Sequence, residues 1–246
     1  VYDGVDDLKA IMPDLTKEEI DRSDFGTYTQ DQFYDDMFRI TQFRTDGDLC
    51  DRLVGRSRDA MRWLHKKGMQ FDPIWGRQAY LIDGKFKFWG GLTVESKGGG
   101  PGLIEQHLKL ADKNGIEVRY NTRGISLVYD GKVVSGLKVK SNGNFEDIPC
   151  KSVVIACGGF ESNAEMRTRY LGPGWELAKV RGTPYNTGDG INMALAIGAS
   201  SFGNWSGSHA VQWDYNAPEF GDLSVGDNFQ KHSYPWGILI NATGRR

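Results

Sequence analysis

Asp189 stands between two glycines in NTGDGINMALAIGAS (Asn186–Ser200), where a helix begins whose apolar side carries Ile191, Ala194 and Leu195. A carboxylate there has two uses. It caps the helix by accepting from the free N–H groups of the first turn. Alternatively, it accepts from the hydroxyls of a ligand that the flanking glycines allow to come close. Adjacent glycines recur at Gly158–Gly159 in VVIACGGFESNAEM (Val153–Met166), just where an apolar run stops. They serve either a strand-to-helix turn or a ligand lying across the carboxyl end of a sheet, where ligands of open α/β sheets bind.

Two further stretches carry candidate chemistry. ESKGGGPG (Glu95–Gly102) precedes a helix, and a glycine-rich helix start holds anions through its N–H groups. No GxGxxG follows a strand here and no GKS or GKT is present, so a flexible lid or close packing is an equal reading. His209 lies in GNWSGSHAVQWD, and the nearby Trp205, Trp213 and Trp236 suggest an aromatic wall. His107 falls within a helix and His65 near a helix end, both as surface residues, and the role of His232 stays open.

These residues need elements to position them. Thr16 with Glu19, and Thr29 with Gln32, are capping-box pairs that predict two helix starts. Ser162 with Glu165 predicts a third. Leu49, Leu53, Met61 and Leu64 recur at helical spacing up to Gly68. FDPIWGRQAYLIDGKFKFWGG predicts a short hairpin and loop. GPGLIEQHLKLADKNG predicts an amphipathic helix, followed by a strand at IEVRYN. Alternation from Ile125 to Pro149, with turns at Asp130–Gly131 and Asn142–Gly143, predicts a three-stranded meander. It leads into Val153–Ala156, which reads as a strand buried on both faces. The order is that of an α/β fold: a parallel sheet with an antiparallel insert.

The chain has 246 residues, 39% of them hydrophobic, enough for a sizeable core. With 30 basic and 32 acidic residues, no basic face is implied, which argues against nucleic acid as a partner. Cys50, Cys150 and Cys157 share no metal-ligand spacing and read as free thiols of a reducing, cytoplasmic compartment. No metal site is expected, and no stretch is long and apolar enough to span a bilayer.

Four segments in order, NTRGISLVYDGKVVSGLKV, VVIACGGFESNAEM, NTGDGINMALAIGA and WGILINATGRR, resemble the flavoprotein subunits of fumarate reductase and succinate dehydrogenase. SRDAMRWLHKKGMQF adds to the match. The N-terminal stretch from Tyr2 to Asp46 is most similar to the branch that dehydrogenates tricarballylate. The resemblance implies an FAD-binding Rossmann-like domain over residues 1–205 and the beginning of a capping, substrate-binding domain over 206–246. It implies FAD as cofactor, with Gly124, Gly158, Gly159 and Asp189 contacting it. His209 lies within one position of a histidine that binds a substrate carboxylate, although Ala210 stands where the family has proline. The implied substrate is a small polycarboxylate, with a membrane-bound iron–sulfur and haem protein as electron acceptor. The family's GxGxxG unit is expected before Val1, and its catalytic arginine beyond Arg246.

Overall fold

A computed structural model describes residues 1–88, 93–226, 228–230 and 237–246, with the backbone alone at Arg77. It divides into two compact units, Val1–Val118 and Arg119–Arg246. The boundary expected after Trp205 separates cofactor from substrate functions, and this spatial division does not bear on it.

Helix starts in the first unit follow the side-chain chemistry. After α1 (Val5–Lys9), Thr16 and Glu19 exchange the two bonds of a capping box to open α2 (Lys17–Asp21), and Thr29 and Gln32 do so for α3 (Gln30–Ile40). Asp46 caps α4 (Gly47–Lys67), which ends on left-handed Gly68. The expected stripe on α4 holds in its second half, where Met61 and Leu64 pack against the core, but is offset by one position in its first. Cys50 and Val54 are buried, whereas Leu49 and Leu53 are 60% and 50% exposed. Arg58 pairs with Asp3 and Asp7, and Arg62 with Asp7, tying the helix to the N-terminal segment.

The strands of this unit are short. β1 (Ser23–Asp24) runs parallel to β4 (Lys85–Phe88), and β4 pairs antiparallel with β3 (Ala79–Ile82) in the predicted hairpin. Asp83 and Gly84 both take positive φ in its turn. β2 (Phe71–Pro73) pairs with β5 (Val94–Ser96), and one turn of helix, α5 (Trp75–Gln78), lies between β2 and β3. α6 (Gly99–Lys113) closes the unit. The core gathers Tyr2, Leu8, Ile11, Met12, Leu15, Phe25, Met69 and Phe71. The Tyr2 hydroxyl donates to the Phe25 carbonyl and meets the Thr93 hydroxyl, each at 2.7 Å.

The second unit opens with the predicted meander, β6 (Thr122–Tyr129), β7 (Val134–Ser141) and β8 (Asn144–Pro149). α7 (Ala164–Leu171), a 3₁₀ turn at Trp175–Leu177 and α8 (Asp189–Ala196) follow. Asn163, not Ser162, caps α7, accepting from Met166 N at 3.1 Å. The chain is therefore a mixed α/β protein with parallel and antiparallel pairs. The strands expected at Glu117–Tyr120 and Val153–Ala156 are not formed. Among the described residues neither segment pairs with a strand, and a strand exists only through its ladder. Val154 is accordingly 88% exposed instead of buried on both faces.

Candidate functional site

Two loops of the second unit are tied together. The N–H of Gly188 donates to the Gly159 carbonyl at 3.0 Å, and that of Ser162 donates to the Asn186 carbonyl at 2.9 Å. Side chains add cross-links: Asn163 Nδ2 to the Thr187 carbonyl (2.9 Å), Ser162 Oγ to the Thr183 carbonyl (2.5 Å) and Asn186 Nδ2 to Glu161 Oε1 (2.5 Å). The double-glycine turn and the start of α8 thus share one site.

The glycines have individual reasons. Gly158 takes φ +72°, and a Cβ on it would lie 3.0 Å from Asn186 Nδ2. A Cβ on Gly159 would lie 2.9 Å from Glu161 Oε2. At Gly158 the protein's own Asn186 makes the steric demand expected from a ligand, whereas at Gly159 only the flexible end of Glu161 lies in the way. Gly188 caps α8 in left-handed geometry against Met166, and Gly190 lets the segment at Cys157 close on the helix, its missing Cβ falling 2.8 Å from Cys157 Sγ.

Asp189 is the first residue of α8, but its side chain caps nothing. Its carboxylate accepts from Arg123 Nε at 2.8 Å and Nη2 at 3.0 Å, and from Thr187 Oγ1 at 3.0 Å. The Arg123 guanidinium is the main reason the carboxyl is held below its ordinary range, with Thr187 assisting against partial burial. Gly124, next to Arg123 on β6, faces α8: a Cβ there would stand 3.6 Å from Met193 Cε. Gly124, Gly158, Gly159 and Asp189 therefore come together on β6, α8 and the two loops.

His209 is not brought to them. It lies in an exposed loop whose Ser208 hydroxyl donates to the His209 carbonyl at 3.3 Å. The expected aromatic wall is divided. Trp205 meets Phe160 at a tilt and Tyr170 edge-on, and Trp213 lies under Arg181. Trp236 and His232 fall outside the described residues. Gly98–Gly102 belongs to the first unit and serves packing, because a Cβ on Gly102 would run into the Lys97 carbonyl.

Two arginines escaped the sequence reading. Arg123 sits beside a residue that was singled out, but nothing in the spacing links it to Asp189, 66 positions away. Arg167 is buried, 8% exposed, and its guanidinium donates to the carbonyls of Glu161, Trp175 and Glu176. It locks the end of the double-glycine loop to the 3₁₀ turn.

The site suits a cofactor with both anionic and hydroxyl groups. The N–H groups of Gly158 and Gly159 have no partner among the described residues. Neither do those of the uncapped first turn of α8. Free backbone donors beside an ionised carboxylate match the phosphate and ribose parts of a dinucleotide.

Residues 20–246 match the FAD binding domain family, and the chain belongs to that family; its cofactor is FAD. A probable fumarate reductase of Shewanella frigidimarina is 31% identical over 170 residues, covering 68% of this chain and 28% of that protein. A 3-oxosteroid 1-dehydrogenase of Mycobacterium tuberculosis is 29% identical over 138 residues, covering 54% of this chain and 23% of that one. The open form of a flavocytochrome c3 fumarate reductase superposes with a TM-score of 0.56 at 28% identity, over 70% of this chain and 30% of that structure. The chain thus spans under a third of the length of these relatives. No helix among the described residues is long and apolar enough to cross a membrane.

Proposed function

We propose that this chain is the cofactor-holding part of an FAD-dependent oxidoreductase acting on the CH–CH bond of a small polycarboxylate, with tricarballylate oxidised to cis-aconitate. The observation that supports it most is the meeting of the Gly158–Gly159 turn, the start of α8 and the ionised Asp189 in one site. FAD, when bound, accepts a hydride from substrate carbon. In this reading Gly158 and Gly159 offer backbone donors to the cofactor, Gly124 allows it close to β6, and Asp189 accepts from a hydroxyl. His209 binds a substrate carboxylate, and residues 206–246 begin the substrate domain. The enzyme works in the cytoplasm and passes electrons to a membrane-bound iron–sulfur and haem protein.

The relatives named above favour two other substrates, fumarate and a 3-oxosteroid. The deciding experiment uses the intact protein: flavin absorbance after dialysis, then dye-coupled turnover with tricarballylate, succinate and a 3-oxosteroid. Bound flavin with turnover of tricarballylate is expected. Turnover of the steroid alone overturns the substrate, and a colourless protein that takes up no added FAD overturns the site. Asp189→Ala should weaken FAD binding by about tenfold or more, since a hydrogen bond to a charged group is worth roughly 1.5–3 kcal/mol.

A further inference from the structure

We propose that Arg123 is a positioning residue for the cofactor site: its guanidinium holds the Asp189 carboxylate so that one acceptor direction is left for one ligand hydroxyl. This rests on the reading of Asp189 given above. A carboxylate offers about four acceptor directions. Three are taken here, two by the fork of Arg123 and one by Thr187 Oγ1. The fork is bidentate, which fixes the plane of the carboxylate as well as its charge. Arg123 reaches it from β6, an element whose register is set by the long ladder to β7. Asp189 is the first residue of α8, so the pair also fixes the rotation of that helix about its start. The carboxylate is touched by Arg123 from β6 and Thr187 from the preceding loop, and the segment of Cys157 packs on the neighbouring Gly190.

A residue that only braced the fold would change stability alone. A positioning residue also changes the pH range over which the carboxylate works. Arg123 is the largest cause of the lowered Asp189 value, so without it the carboxyl takes up its proton at higher pH. As pH falls, cofactor binding through the carboxylate is then lost at a higher pH than in the wild type.

The experiment measures FAD affinity of the intact protein by flavin fluorescence from pH 4 to 8, with thermal melts alongside, for wild type, Arg123→Gln, Arg123→Lys, Asp189→Asn and the double variant Arg123→Gln/Asp189→Asn. Arg123→Gln should bind about tenfold more weakly near neutrality, with its acid limb displaced upward. Arg123→Lys should restore the limb more than the affinity, because it returns the charge without the fork. In the Asp189→Asn background, Arg123→Gln should cost nothing further. Wild-type affinity and an unmoved acid limb in Arg123→Gln overturn the inference, as does an equal loss with and without Asp189. Wild-type affinity in Asp189→Asn overturns instead the assignment of Asp189 to the cofactor.

Discussion

Gly188 donates its backbone N–H to the carbonyl of Gly159 across 3.0 Å, joining the loop after the apolar run Val153–Ala156 to the start of α8. Of the two, Gly188 is the residue whose position demands glycine. Gly188 is left-handed at φ +81°, and a Cβ on it would lie 2.5 Å from Met166 Sδ and 3.2 Å from Phe160 Cβ. Gly188→Ala must therefore displace buried Met166 and pay for its backbone conformation. We expect it to lower stability by about 2–4 kcal/mol, the sum of a strained φ and an overpacked contact. Chemical denaturation measures it, and a loss under about 0.5 kcal/mol, the range of neutral surface changes, would show that the loop junction yields easily.

The neighbouring pair separates two roles for glycine. Gly158 has φ +72° and close Asn186 atoms, so Gly158→Ala should cost about 1–2 kcal/mol. Gly159 has no positive φ, and its missing Cβ meets only the end of the flexible Glu161 side chain. Gly159→Ala should then leave the melting temperature nearly unchanged. If Gly159→Ala still loses FAD on dialysis while melting as wild type, space at this turn is reserved for the cofactor. If it melts low, the turn itself required glycine.

Much of this was legible in the sequence because it is decided locally. The capping boxes at Thr16 and Thr29 need only residues three apart, and Asn142–Gly143 needs only two residues that tolerate positive φ. The meander follows from alternation. Long-range choices were not legible. In the first half of α4 Cys50 and Val54 are buried in place of Leu49 and Leu53, and Asp3 and Asp7, some fifty residues earlier, pair with Arg58 and Arg62 of that helix. Val153–Ala156 has the composition of a buried strand, but composition cannot supply a neighbour to pair with. The candidate site was visible through its glycines and Asp189. The arginines that hold it were not, since a guanidinium on β6 or within α7 has no local signature of its distant partner.

Arg167 makes that second case testable. Its three carbonyl partners come from two separate turns, and the residue is 8% exposed. Arg167→Met keeps much of the volume but strands three acceptors. We expect a loss of about 2–4 kcal/mol, within the range for breaking a buried hydrogen-bond network. Arg167→Lys should recover only part, because one ammonium cannot reproduce a fork directed at three carbonyls. Equal stability of the methionine variant and wild type in urea would show that these carbonyls find water instead.

The first meander turn carries its own pH dependence. Asp130 accepts from the N–H groups of Lys132 and Val133, each at 2.8 Å, and the bond from Val133, followed by that from Lys132, holds its carboxyl below the ordinary carboxylate value. A lowered value in the folded state means the contribution is complete above the ordinary range and fades as pH falls through the lowered one. Protection of the Val133 amide against hydrogen exchange, expressed relative to its intrinsic rate, should therefore decline at acid pH while amides in the centre of β7 keep theirs. Asp130→Asn retains an acceptor without a titrating charge, so its Val133 protection should be lower at neutral pH and flat across the acid range. Asp130→Ala should remove the protection at every pH. A Val133 amide that exchanges alike in wild type and Asp130→Ala would mean that the β6–β7 ladder, and not this carboxylate, shapes the turn.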